Sequence, residues 1–102
     1  MLYSITLVDR PHSAALRAET AATHRDYVGG FFNLIALGGP LLAADGKTMI
    51  GSQIVIDLPD AEAAQCFVDN EPYNRAGLFS QVLIHRFGAA VSNPDLIKGN
   101  KT

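Results

Sequence analysis

From Leu2 to Val8 apolar and polar positions alternate around Tyr3, Ile5 and Leu7, and this period of two predicts a first strand. Beyond it the period lengthens. Leu16, Thr20, Thr23, Tyr27 and Phe31 recur at helical spacing, with His24 and Val28 on the flank of that stripe. The spacing predicts a helix from His12 or Ser13 to Gly29, opened by Pro11 and Ser13 and ended at Gly29-Gly30. A second strand is expected over Leu34 to Leu42, interrupted by Gly38-Gly39-Pro40. Asp45-Gly46-Lys47 is a hairpin signal, and Met49 to Leu58 reads as the third strand. Asp60 caps a second helix from Ala61 to about Asn70, which Pro72 stops, and Gln81 to Phe87 forms the fourth strand. The order βαββαβ defines an α+β, ferredoxin-like sandwich.

The alternation is imperfect, and that matters. Leu2 and Val8 point away from Tyr3, Ile5 and Leu7, and the second and third strands also place apolar groups on both faces. Two helices cover one face of a four-stranded sheet. A second copy is the simplest cover for the other, so a homodimer with sheets packed face to face is expected. Ile5 and Leu7 are candidate interface positions. The segment Ser92 to Thr102 is polar and carries Pro94 and Gly99, so residues 1–91 are expected to form the domain and 92–102 a flexible tail.

Composition narrows the function classes. The chain has 102 residues, a length suited to one domain, with 48% hydrophobic and 18% charged residues. Its net charge of -2 and the absence of a Lys/Arg run argue against a nucleic-acid partner. No apolar run is long enough for a membrane span. The N-terminus lacks a charged n-region, so no signal peptide is expected. Cys66 is the one cysteine, which excludes an internal disulfide and fits a reducing, cytoplasmic setting. Beside Phe67 and Val68 it reads as core filler. The histidines show no zinc spacing and the glycines no GxGxxG pattern, so neither a metal nor another cofactor is expected.

Candidate chemistry gathers in the first quarter of the chain. Arg17 and His24 are seven residues apart and share one side of the first helix. Histidine titrates near neutral pH and suits general acid/base work, and Asp9 at the end of the first strand is placed to fix its tautomer. The same position also suits a histidine bonded only for packing. Arg17 is suited to neutralising an anionic or enolate-like group. Ser52 follows Gly51 in the third strand and points with Ile50 and Ile54; it reads as a hydrogen-bond donor. Tyr73 has an amphipathic ring fit for a pocket wall or an interface. Glu71 reads as a helix-end acid in solvent, with a role as second carboxylate as the alternative. His12 and His85 read as surface groups.

These residues resemble a known family. MLYSITLVDRP with Asp9 at the strand end, Arg17 followed by His24, Gly39-Pro40 before Leu41, Gly51-Ser52, and Pro72-Tyr73 with Ala76-Gly77 together resemble the YciI-like, or YCII-related domain, family over residues 1 to about 88. The resemblance implies a ferredoxin-like fold assembled as a dimeric α+β barrel, similar to muconolactone isomerase. It implies an active site around His24 and Asp9, with Ser52 and the Gly39-Pro40 turn lining the pocket. A relative that eliminates chloride from a chlorinated hydroxyquinol implies lyase-type chemistry on small cyclic compounds. One departure stands out: the family usually has Asp-Pro-Tyr after the second helix, where this chain has Glu71-Pro72-Tyr73.

The expectation is therefore a small, cofactor-free enzyme. In it, His24 and Asp9 are catalytic, and Arg17, Gly39, Pro40, Ser52 and Tyr73 hold a small-molecule ligand. A non-catalytic small-molecule-binding or scaffolding dimer would use the same residue types.

Overall fold

The computed structural model describes residues 1–100. Four strands, β1 (Leu2–Asp9), β2 (Ile35–Leu42), β3 (Met49–Asp57) and β4 (Phe79–Arg86), form one sheet in the order β2-β3-β1-β4. Every neighbouring pair is antiparallel. Helices α1 (Ala14–Gly29) and α2 (Ala61–Asp69), the single-turn α3 (Pro72–Arg75) and a terminal α4 (Pro94–Gly99) complete the chain. This is the ferredoxin-like arrangement that the element order predicts.

The core lies between the sheet and the helices. Tyr3, Ile5 and Leu7 of β1 face it, paired across β3 with Ile56, Ile54 and Ser52. Ala64, Phe67 and Val68 of α2 pack against them, with Tyr27 and Phe31 completing the cluster. Burying one such aliphatic side chain stabilises the fold by about 1.5–3 kcal/mol. Asp60 caps α2 by accepting from the Ala63 amide at 2.8 Å, and the Tyr27 hydroxyl donates to the Phe67 carbonyl at 2.8 Å, tying α1 to α2. Ile5 and Leu7 are 0% exposed against the helices. They cannot meet a partner, and the interface candidates move to the opposite face. There Thr6 donates to Gln53 and Gln53 donates to Ser4, at 2.7 and 2.8 Å, while Val55 and Leu83 stand on the neighbouring strands.

Several expectations change. The ladder of β2 continues through Gly38-Gly39-Pro40, and its register shifts lie on either side, at Ile35/Leu37 and Leu41/Leu42. Pro40 is tolerated because β2 is an edge strand, which asks for donors on one side only. Gly51 has a sharper cause. A Cβ there would collide with the Leu7 carbonyl oxygen, so the close approach of β1 and β3 requires glycine. Gly46, at φ 71°, closes the β2–β3 hairpin, where Asp45 accepts from the Lys47 and Thr48 amides. Cys66 is exposed, not core: helical period turns Ala64, Phe67 and Val68 inward and leaves position 66 outside. Part of the expected flexible tail is helix α4, opened by Asn93 and Pro94, with no buried residue; Lys101 and Thr102 lie outside the described residues.

Candidate functional site

Helix α1 is weakly amphipathic, and its one buried residue is charged: Arg17. The fold keeps that charge by pairing it. Asp9, at the end of β1, accepts from Arg17 Nε at 2.7 Å and from Nη2 at 2.9 Å, a two-pronged ion pair in which both side chains are more than nine-tenths buried. Ser52 Oγ, on the neighbouring β3, accepts from the same Nη2 at 3.3 Å. Burial works against the guanidinium charge. The hydrogen bonds and charge of Asp9, with help from Tyr73, outweigh it and push the Arg17 pKa above its ordinary value. Tyr73 lies beneath the cation, its ring centroid 4.5 Å from Cζ.

Two helical turns along α1, His24 Nδ1 lies 2.7 Å from Oε1 of Glu71. Glu71 is 0% exposed. It caps α3, and the same oxygen accepts from the Tyr73 amide at 3.2 Å, while Oε2 is buried without a protein partner. The His24 ring stacks on Tyr73 with centroids 4.1 Å apart and planes 21° apart. With Glu71 ionised, a carboxylate can only accept, so Nδ1 carries the proton and Nε2 is left for other chemistry. Burial pushes the Tyr73 hydroxyl pKa up; Arg17 opposes this and Glu71 adds to it. The phenol therefore stays protonated near neutral pH.

Arg17, His24, Ser52 and Tyr73 line one cavity of about 610 Å³, together with Gly39 and Pro40 of β2. Apolar groups such as Val28, Ile35 and Ile54 form most of its remaining wall. That volume suits a small organic ligand. Six of the seven sequence-predicted site residues thus meet at one cavity. Asp9 is the seventh and does not line it. Both its oxygens are engaged by Arg17, so the partner expected for His24 is a different carboxylate, Glu71. Glu71 is also not the solvated helix-end acid expected from its place before Pro72. The packing of α3 against α1 carries it under His24. Its position in Glu-Pro-Tyr, where the family pattern has Asp, was the available signal.

Among the described residues, no group of three or more His, Cys, Asp or Glu side chains is placed to hold a metal ion. Among the described residues, no helix is long and apolar enough to cross a membrane.

Comparison with known proteins bears on this geometry. No curated protein matches the chain. The solved structure of a 5-chloro-2-hydroxyhydroquinone dehydrochlorinase from Burkholderia phenoliruptrix AC1100, in complex with 2,5-dihydroxybenzoquinone, is similar to it. The two share 34% sequence identity at a TM-score of 0.83, covering 86% of this chain and 94% of that one. The YCII-related domain family matches residues 1–88, which contain all of β1 to β4 and every residue lining the cavity. The chain belongs to the YCII-related domain family.

Proposed function

We propose that this protein is a small enzyme that moves a proton on a small cyclic or aromatic metabolite, in an elimination or an isomerisation. The observation that carries this reading is the His24–Glu71 pair, a titratable ring braced by a buried carboxylate at the wall of a ligand-sized cavity. His24 Nε2 takes or delivers the proton. Glu71 acts through His24: it fixes the tautomer and balances the positive charge that forms on the ring. Arg17 and the Tyr73 hydroxyl stabilise negative charge on a substrate oxygen. Asp9 is a positioning residue that holds Arg17, and Ser52, Gly39 and Pro40 shape the pocket. Every group this step needs is a side chain, so no cofactor is invoked.

The similar dehydrochlorinase favours elimination. In a loss of HCl from the keto tautomer of a chlorinated hydroxyquinol, in which the carbon bearing chlorine has gained a proton, a ring hydroxyl gives its proton to His24, the O–H electron pair becomes a new C=O bond, the ring double bond shifts towards the chlorinated carbon, and chloride departs with the C–Cl pair. We further propose that two copies pack through the sheet face bearing Ser4, Thr6 and Gln53, and that the protein works in the cytoplasm, where the exposed Cys66 thiol stays reduced.

Chloride release tests the reaction. Incubation of the protein with 5-chloro-2-hydroxyhydroquinone should free chloride faster than buffer alone, and muconolactones and related enol lactones provide the isomerisation arm. Saturable binding of these compounds with no conversion of any of them would instead favour a binding module.

A further inference from the structure

The polar lining of the cavity is one-sided. Arg17, Arg25, His24, Ser52 and Tyr73 contribute cations or hydrogen-bond donors, and among the described residues no Asp or Glu lines it. The carboxylates of the site lie behind these groups: Asp9 is bound by Arg17, and Glu71 is fully buried under His24. Arg17 is therefore a neutralised cation. Arg25 is not. It is exposed, and the ion pairs among the described residues join Met1 to Asp57, Arg17 to Asp9 and His24 to Glu71, leaving Arg25 without a carboxylate. Its charge is felt inside the site, where it favours ionisation of the Tyr73 hydroxyl. Along α1 it stands about 12 Å from Arg17, at the rise of an α-helix. The remaining walls are apolar and the His24–Tyr73 stack is flat.

We propose that Arg25 is a ligand-binding residue that makes this cavity select ring compounds whose oxygen substituents are ionised at neutral pH over uncharged rings of the same shape. This rests on the reading of the cavity as the substrate site. An unpaired guanidinium beside a mostly apolar wall gains a charge-assisted contact from an anionic ligand, while a neutral ring receives only the packing. Salt weakens the first and leaves the second nearly unchanged.

The test is equilibrium binding by calorimetry with two quinones. 2,5-Dihydroxybenzoquinone is a vinylogous acid, ionised at neutral pH; 2,5-dimethoxybenzoquinone has the same ring and no charge. A Cys66→Ser background prevents the exposed thiol from adding to either. The protein should bind the ionised quinone more tightly. Arg25→Gln should weaken that binding about tenfold and shift the neutral quinone less than about twofold, with Arg25→Lys retaining most of the preference. An unchanged affinity in Arg25→Gln, an equal loss for both quinones, or no binding of the ionised quinone at millimolar concentration each overturns the proposal. Because binding is read without turnover, charge selection can stand where proton transfer fails. Charge selection that persists in His24→Gln, with no substrate converted by the parent protein, would remove the catalytic reading and leave this one.

Discussion

Glu71 Oε1 accepts from both His24 Nδ1, at 2.7 Å, and the Tyr73 amide, at 3.2 Å, so one carboxylate oxygen ties helix α1 to the opening of α3. The pair sets the tautomer of His24 and its position against Tyr73. Glu71→Gln keeps the size and removes the charge. It should lower turnover by about ten- to a hundredfold and move the acid limb of the pH–rate profile to lower pH, because the imidazolium loses its counter-charge. Glu71→Asp restores the charge on a shorter arm and should recover part of the rate. A Glu71→Gln enzyme with the parent pH profile would show that the carboxylate serves packing alone.

Asp9 has a different task. Asp9→Asn leaves Arg17 charged and buried with a weakened partner, and breaking such a pair typically costs about 3–5 kcal/mol. The expected loss is at the low end, about 3 kcal/mol, because Ser52 still accepts from Arg17. Denaturant unfolding checks it, and stability within error of the parent would contradict the importance of this ion pair.

How much of this was legible in the sequence depends on whether the cause is local. Alternation at Tyr3, Ile5 and Leu7, the turn at Asp45-Gly46 and the cap at Asp60 are local patterns, and the strands, hairpin and helix appear where those patterns stand. Gathering Arg17, His24, Ser52 and Tyr73 at one site was legible from helical spacing together with the family resemblance. The pairing was not. Asp9 is near in sequence and was the natural partner for His24, but the strand end delivers it to Arg17, while Glu71, 47 positions away, arrives only through the packing of α3 on α1. Cys66 differs for a smaller reason: an apolar neighbourhood in sequence does not fix the helical face, and position 66 lies outside the face that Ala64, Phe67 and Val68 turn inward.

The hairpin provides a pH test independent of the site. Asp45 accepts from two amides and the Thr48 hydroxyl, and those bonds lower its carboxyl pKa from 3.8 to about 2. A lowered folded pKa contributes stability above the unfolded value that disappears as pH falls through the folded one. The Tm deficit of Asp45→Ala relative to the parent should therefore be constant near neutral pH and narrow between pH 3.8 and about 2. A deficit that stays constant down to the lower limit would contradict this.

Assembly is tested through the open sheet face. Sedimentation should give a mass about twice the 10.9 kDa of the chain. Thr6→Arg, on the face that bears Ser4 and Gln53, should shift the protein towards monomer with its secondary structure kept. A monomeric parent protein at micromolar concentration would contradict the proposed dimer.

The most direct measurement of the proposed role of His24 is the turnover of His24→Gln under saturating substrate, with affinity measured alongside. Glutamine keeps a hydrogen-bonding group of similar reach and cannot carry a proton between substrate and solvent. The predicted result is a fall in kcat of about 10²–10⁴-fold with ligand affinity changed only slightly. A His24→Gln enzyme that turns over at the parent rate would contradict proton transfer by His24.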